Sequence, residues 1–247
     1  MIRKKLGEIE WLEFEQLQGL PLKHGVFLCH GGVSSGAFQS LNAGGSTGDD
    51  PKCIEENRKR IMSLFPLGQL VSSYQVHGAS VQIVLDSCVL DTPCDGLITQ
   101  LKHKALMIKY ADCQSAIFYD PLEKILAHVH CGWRGNVQNI YKQTVDTLKR
   151  LGSNPSNLLV CISPSLGPER SEFVNFKTEF PPQFQEFQWK ENYFDLWNIS
   201  RMQLKEAGIL SSHIEFAKIC TYENKQDYFS YRRDKISGRN ASVAMLC

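Results

Sequence analysis

The stretch between residues 105 and 130 constrains the fold more than any other part of the sequence. It holds three runs of apolar and β-branched residues, each with the length of a strand buried on both faces. Asp120-Pro121 separates the second run from the third and is typical of a turn. The sequence therefore predicts a β-hairpin within a buried sheet. The three runs span residues 105–110, 115–119 and 124–130.

Helix signals surround these strands. Asp50-Pro51 is typical of a capped helix start, and the residues after it carry Ile54, Ile61 and Phe65 on one face. The strongest helical periodicity runs from Val137 to Leu151 and stops at Gly152. Hairpins combined with strand–helix–strand units favour an α+β fold, which we predict as a single domain (1–247) with a mixed β-sheet core flanked by helices. Further strands are predicted at 26–29, 71–76, 81–85, 158–162, 213–219, 228–231 and 241–246, and a further helix at 199–207.

Composition excludes several classes of protein. With 27 basic and 26 acidic residues the formal charge is +1, which gives no electrostatic reason to expect nucleic acid or an anionic membrane as a partner. No apolar run approaches the roughly 20 residues of a membrane-spanning helix. The nine cysteines are an odd number without repeated spacing, so we expect reduced thiols in a cytoplasmic protein rather than a disulfide scaffold. The oligomeric state stays open.

Polar segments with catalytic or metal-binding side chains follow three of the predicted strands. They are Tyr74–Gly78, Ala111–Cys113 and His128–Gly135, and each lies where a strand gives way to a loop. Two imidazoles and a thiolate suit Zn²⁺ and, less often, copper. His77, Cys113 and His130 lie far apart in sequence, so their spacing alone favours unrelated core or surface positions over a metal site.

The three segments, in this order, resemble the laccase-domain family of bacterial proteins, also called polyphenol oxidase or peptidoglycan-editing-factor proteins. The resemblance implies a purine nucleoside phosphorylase of adenosine and inosine, with methylthioadenosine a further candidate, and with adenosine deaminase activity. The likeness extends over most of the chain. It includes His24-Gly25, Gly31–Ser34, Ser40–Asn42, Gly48-Asp49, Glu56–Arg58, Gln75–Gly78, Ala111–Cys113, His130–Gly135, Asp195-Leu196, Cys220-Thr221, Phe229–Arg233 and Gly238-Arg239.

This resemblance implies that His77, Cys113 and His130 are the ligands of a catalytic zinc ion, with copper as a possible alternative. The sequence departs from the family pattern at four places, and none of them removes a proposed ligand. The departures are at Cys29-His30, Gln114-Ser115, Cys131 and Ser163–Gly167.

The implied substrates are a nucleoside and phosphate. Arg58 and Arg134 are candidates for phosphate binding, because each adjoins a segment of the proposed site. His128 shares a strand face with His130 and could be a fourth ligand or a buried core histidine. Asp112 could orient a ligand or simply belong to a turn, and Trp133 could stack on a base or pack in the core.

Three other functions remain open. Cys113 could act as a thiolate nucleophile, with His130 or His77 as its base, in a hydrolase or deamidase. The chain could instead bind a metal or edit peptidoglycan precursors without phosphorylase activity. Copper-dependent phenol oxidation is the poorest fit, because the seven histidines are too few for a multicopper centre.

Overall fold

Two six-stranded sheets form the core of the chain, which the computed structural model describes over residues 1–86 and 93–247. The strands are β1 (Ile2–Leu6), β2 (Ile9–Glu13), β3 (Leu22–Phe27), β4 (Gln69–Val71), β5 (Val81–Ile83), β6 (Gly96–Thr99), β7 (Lys104–Tyr110), β8 (Gln114–Asp120), β9 (Ile125–Cys131), β10 (Leu159–Ile162), β11 (Gln188–Lys190), β12 (Tyr193–Phe194), β13 (Ile214–Phe216) and β14 (Asn240–Leu246). The first sheet has the order β1-β2-β3-β14-β7-β4 and the second β13-β10-β8-β9-β6-β5. Each combines parallel with antiparallel neighbours. The predicted α+β class is confirmed, with two mixed sheets in place of one.

The predicted hairpin is confirmed as β8 and β9, which pair antiparallel along their whole length. Every residue of both strands is buried, which explains the unbroken apolar runs in the sequence. Asp120 closes the turn, because its Oδ1 accepts hydrogen bonds from the backbone N–H groups of Leu122 and Glu123.

The sheets pack face to face through a shared apolar layer. Val26 and Leu106 from the first sheet lie in one buried cluster with Ile117 and Leu126 from the second. His128 joins the same layer, since its Nδ1 donates to the carbonyl of Leu106 at 2.9 Å. Its Nε2 lies 2.7 Å from Ser115 Oγ and 3.0 Å from Ser242 Oγ. His128 is thus a core histidine that bridges the two sheets.

Helices pack against both sheets. The helices of the described chain are α1 (Pro51–Met62), α2 (Trp133–Val137), α3 (Ile140–Arg150), α4 (Phe176–Glu179), α5 (Leu196–Glu206) and α6 (Tyr231–Asp234). The helix α1 packs against the first sheet, and the apolar face of α3 packs against the second. Its predicted start at Val137 is wrong, because Asn139 adopts the left-handed conformation at φ 53° and caps α3 through Lys142 N–H. The residues before Asn139 form the separate helix α2. Among the described residues, none of the helices combines the length and the apolar character of a membrane span.

One buried side chain fixes the glycine-rich loops that precede α1. Asn57 Nδ2 donates to Ser34 Oγ and to the carbonyls of Ser40 and Asn42. Its Oδ1 accepts from Val33 N–H at 2.8 Å. Each polar atom of this buried amide is therefore satisfied, and the loops are tied to the helix.

The structure also departs from the sequence-based predictions in other elements. The predicted strand at 228–231 is wrong, because Ser230 caps α6 there; Tyr228 and Phe229 are buried without belonging to a strand. The hairpin of β1 and β2 was not predicted, since its charged residues conceal the strand pattern. At this exposed edge Lys5 pairs with Glu10 at 3.0 Å.

Candidate active site

The proposed ligands come from loops and strand ends that meet at one edge of the two packed sheets. Cys113 lies in the short connection from β7 in the first sheet to β8 in the second. His130 is near the end of β9, the hairpin partner of β8, and His77 lies in the loop between β4 and β5. The strand ends bring together three residues that are distant in sequence.

The donor atoms of His77, Cys113 and His130 all lie within 4.8 Å of one another. The two imidazole rings are 4.9 Å apart between centroids and nearly perpendicular, with 80° between their planes. His130 is buried, Cys113 is half-buried and His77 is exposed, so the cluster has one side open to solvent. A Cβ at Gly132 would lie 2.8 Å from Cys113 Sγ, so glycine leaves the space that this cluster occupies.

A residue that sequence analysis missed holds this cluster in place. Asp95 is fully buried, and its Oδ1 accepts from His130 Nδ1 at 2.8 Å and from His77 N–H at 3.0 Å. Its Oδ2 accepts from the N–H groups of Val76 and Gly78. His77 has a left-handed backbone at φ 60°, a conformation that is unfavourable for histidine, and these hydrogen bonds stabilise it. The sequence signal that could have identified Asp95 is its position, with Gly96, directly before an apolar run.

The electrostatics of the cluster favour a thiolate. Burial alone would raise the pKa of the Cys113 thiol, but His130 and His77 outweigh it and lower the pKa to about 6. Burial alone would lower the pKa of His130, but Cys113 and the hydrogen bond to Asp95 raise it to about 9. Burial would likewise raise the pKa of Asp95, yet its hydrogen bonds from His130 and the backbone hold it below the ordinary value.

These donors fit a divalent metal ion. Thiolate sulfur and imidazole nitrogen are the ligands that zinc and copper take in proteins, and three protein donors are typical of a catalytic zinc site. Asp95 occupies Nδ1 of His130, which leaves Nε2 as the nitrogen available for a metal. Within residues 1–86 and 93–247 this is the only cluster of three potential ligands.

A cavity of about 690 Å³ opens over the cluster. Five cations line it, and none of them forms an ion pair with a carboxylate of the described chain. Asp112 is the only acidic residue among the described lining residues, and its carboxylate accepts from Thr221 Oγ1 and Arg232 N–H. The excess of positive charge suits an anionic ligand. The five cations are Lys109, Arg134, Arg232, Lys235 and Arg239.

Aromatic side chains form another part of the wall. Trp133 and Phe173 line the cavity with ring centroids 6.1 Å apart, and both belong to an apolar cluster that includes Phe180. The guanidinium of Arg134 lies 4.6 Å above the Trp133 ring. Trp133 therefore both packs in the core and faces the cavity.

The other candidate residues are divided between the cavity and its surroundings. Arg134 is exposed and lines the cavity, whereas Arg58 lies outside the lining, with Nε and Nη2 donating to the carbonyl of Ala43. His128 is the core histidine described above, with both ring nitrogens engaged away from the cluster. The described hydrogen bonds of Asp112 do not include a proposed ligand residue. The carboxylate that orients a proposed ligand is that of Asp95, which accepts from His130.

The positions that depart from the family pattern have structural roles. Gln114 is buried, donates to the carbonyl of Leu196, and accepts from Tyr141 Oη and Ser200 Oγ. Cys131 is buried beside α3, and burial raises the pKa of its thiol far above the ordinary value. His30 Nε2 lies 2.9 Å from the carboxylate of Asp227.

Comparison with known proteins identifies the family. A sequence profile described as "Multi-copper polyphenol oxidoreductase laccase" matches residues 23–247, and the chain belongs to this family. A Shigella flexneri protein named purine nucleoside phosphorylase YfiH is 32% identical over 243 residues, which cover 92% of this chain and 96% of that protein. A Geobacillus stearothermophilus protein named purine nucleoside phosphorylase YlmD is also 32% identical, over 85% of each chain.

Solved structures agree with this assignment. The crystal structure of Bacillus licheniformis hypothetical protein YfiH superposes with a TM-score of 0.88 at 26% identity and covers 99% of both chains. The structure of YlmD from Geobacillus stearothermophilus gives the same TM-score at 29% identity, over 98% of this chain and 97% of that one. The family resemblance predicted from the sequence is confirmed.

Proposed function

We propose that this protein is a cytoplasmic, metal-dependent purine nucleoside phosphorylase that also deaminates adenosine. The observation that carries the proposal is the convergence of the donor atoms of His77, Cys113 and His130 in a cavity rich in cations. The names of the relatives, which are purine nucleoside phosphorylases, support the same activity. The free thiols of the eight described cysteines support a reducing compartment, while Cys88 lies outside the described residues.

His77, Cys113 and His130 would hold the metal, with zinc preferred over copper. A zinc ion bound there supplies Lewis acidity at neutral pH. Asp95 orients His130 through Nδ1 and keeps its Nε2 directed away from the carboxylate. The buried hydrogen bonds of Asp95 thus preorganise the donors before a metal or substrate arrives.

Phosphorolysis requires a phosphate oxygen to form a bond to C1′ of the ribose as the C1′–N9 bond breaks. The base leaves with the electron pair and takes up a proton, which gives a free purine and ribose 1-phosphate. The lining cations, Arg134 among them, would hold the phosphate, and Arg58, which lies outside the lining, would act on phosphate binding indirectly through its hydrogen bonds to the Ala43 carbonyl. Trp133 and Phe173 provide an apolar wall on which a purine ring could stack.

Deamination needs only water as co-reactant. Water adds at C6 of adenosine, and the amino group leaves as ammonia to give inosine. The cavity residues would exclude bulk water and position the base, as they would for phosphorolysis. Both activities therefore use the same purine subsite.

The test is incubation of purified protein with adenosine, with and without phosphate, while adenine, inosine and ribose 1-phosphate are followed by chromatography. The proposal expects adenine and ribose 1-phosphate only when phosphate is present, and inosine in either case. A chelator should abolish both activities, and added zinc should restore them. A metal-loaded protein that yields none of these products at high enzyme concentration would contradict the proposal.

A second candidate is a hydrolase that uses Cys113 as its nucleophile. It is favoured by the lowered pKa of the Cys113 thiol, which His130 and His77 stabilise as a thiolate. Chelation separates the two candidates: a thiol hydrolase keeps its activity in a chelator and loses it after treatment with iodoacetamide.

A further inference from the structure

A glycine-containing loop at one side of the cavity packs against two arginine side chains. The loop is Gly44–Thr47, which lines the cavity directly after the segment fixed by Asn57. A Cβ at Gly44 would lie 2.5 Å from Cγ of Arg239, so the arginine stem packs where a side chain would otherwise be. A Cβ at Gly45 would lie 3.6 Å from Nη2 of Arg58. The loop is therefore placed between Arg239 and Arg58.

A third cation lies beside them. Lys109 on β7 pairs with Ala241 on β14, and Arg239 is two residues before Ala241, next to the start of that strand. The Nζ of Lys109 donates to Ser72 Oγ at 2.6 Å and to the carbonyl of Ser73 at 2.7 Å. Burial, together with the smaller effect of the Arg58 charge, lowers the pKa of Lys109 to about 8. Lys109 and Arg239 thus line the same cavity, and Arg58 lies behind the loop close enough to act on the charge of Lys109.

This group has donors that the described protein does not satisfy. Arg239 uses Nη1 for the carbonyls of Ser237 and Gly238, while its Nε and Nη2 have no acceptor within residues 1–86 and 93–247. In the same part of the chain the backbone N–H groups of Gly45, Ser46 and Thr47 also make no hydrogen bond. Unsatisfied N–H donors next to cations that form no ion pair in the described chain are the features of an oxyanion site.

We propose that loop 44–47, Arg239 and Lys109 form the subsite for a phosphate dianion, and that Arg58 is a positioning residue behind the loop. Arg58 fixes the loop through its two hydrogen bonds to the carbonyl of Ala43. This assignment rests on the proposed phosphorylase function and specifies where its second substrate binds. It leaves the wall formed by Trp133 and Phe173 free for the purine.

The same subsite chemistry would suit free phosphate or the phosphoryl group of a nucleotide. The phosphorolysis that we propose consumes free phosphate, so the assignment is to the free ion. Titration calorimetry with inorganic phosphate alone and with a nucleoside 5′-monophosphate separates the two sources. Binding of phosphate alone supports the assignment, whereas binding of the monophosphate without binding of phosphate alone overturns it.

The decisive variant is Arg239→Gln, with Arg239→Lys as the conservative variant. Loss of a hydrogen bond to a charged group predicts a rise in the KM for phosphate of about tenfold to a hundredfold. The KM for the nucleoside should stay unchanged, and Arg239→Lys should restore part of the phosphate affinity. Arg201→Gln is the matched control, because Arg201 is half-buried over the Phe216 ring, outside the cavity.

Calorimetry keeps this proposal separable from the proposed function. If wild-type protein binds phosphate but forms no ribose 1-phosphate, and Arg239→Gln loses that binding, the subsite stands and the phosphorylase function fails. If wild-type protein catalyses phosphorolysis and Arg239→Gln keeps its KM for phosphate, the subsite assignment is overturned. An equal rise in the KM values of both substrates would also overturn it.

Discussion

The carboxylate of Asp95 accepts a hydrogen bond of 2.8 Å from Nδ1 of His130, and both groups are buried. The same oxygen accepts the N–H of His77, so one atom contacts two of the three proposed ligand residues. Asp95 therefore fixes both the orientation of the His130 ring and the backbone of the loop that carries His77. Disturbing Asp95 should therefore act on metal affinity more than on the fold.

Asp95→Asn should weaken zinc binding by about tenfold to a hundredfold, as is usual when the partner of a ligand histidine is altered. The asparagine amide keeps one acceptor oxygen, but its NH₂ group must face backbone N–H groups that donate hydrogen bonds to the carboxylate in the wild type. Competition with a chromophoric chelator measures the affinity, and near-ultraviolet circular dichroism reports the fold.

Asp120→Asn is the matched control for this substitution. Asp120 is also fully buried, but its Oδ2 has no hydrogen-bond partner in the described structure, and Oδ1 closes the β8–β9 turn. This variant should keep the zinc affinity of the wild type. Equal affinities for all three proteins would contradict the role given to Asp95.

Hydrophobic pattern predicted the buried parts of the fold. The strands β7, β8 and β9 were recognised because burial on both faces gives unbroken apolar runs in the sequence. The helix α1 was recognised because its cap and its apolar face give a characteristic pattern. The β1–β2 hairpin has no such pattern, because β1 is exposed and contacts β2 through charged side chains such as Lys5 and Glu10. The split between α2 and α3 depends on the backbone of Asn139, which periodicity does not report.

The candidate site was predictable only in part, for a physical reason. Family resemblance picked out the ligand residues, and the structure brings them together. Asp95 was missed because its partners are backbone N–H groups and a histidine 35 residues away. The position of Arg239 over Gly44 also depends on tertiary packing, which local sequence patterns do not encode.

Gly132→Ala should weaken metal binding through steric contact alone. The backbone of Gly132 has a φ of −86°, which alanine adopts without strain, but the new Cβ would lie 2.8 Å from Cys113 Sγ. Overpacking of this kind costs about 1–3 kcal/mol, which corresponds to roughly fivefold to 150-fold in affinity. Titration with zinc measures the change.

Gly78→Ala provides the control on the other side of the cluster. Its new Cβ would lie 3.6 Å from Asp95 Oδ2, an ordinary contact. Zinc affinity should be preserved in this variant. If Gly132→Ala binds zinc as tightly as Gly78→Ala, the space beside Cys113 is not required.

Stability should fall in mild acid because of His24. Burial lowers the pKa of this histidine from 6.5 to about 4, and its Nε2 accepts a hydrogen bond from Phe14 N–H. Between about pH 4 and pH 6.5 this histidine binds a proton in the unfolded chain but not in the folded chain. The free energy of unfolding therefore decreases as the pH falls, by up to about 1.4 kcal/mol per pH unit for this residue.

The variant His24→Gln tests this assignment. Glutamine keeps an acceptor for Phe14 N–H and does not titrate. Urea unfolding at several pH values between 4 and 6.5 should show a slope smaller by nearly one proton than in the wild type. An unchanged slope would mean that His24 is not the linked group.

The most direct test of the account is the metal content of the purified wild type beside His77→Ala, Cys113→Ala and His130→Ala. Cys161→Ala serves as the control, because Cys161 is buried in the core away from the cavity. The account predicts one zinc per chain in the wild type and the control, and loss of stoichiometric zinc and of nucleoside turnover in the three variants without gross unfolding. Retention of zinc and activity in all three would contradict it.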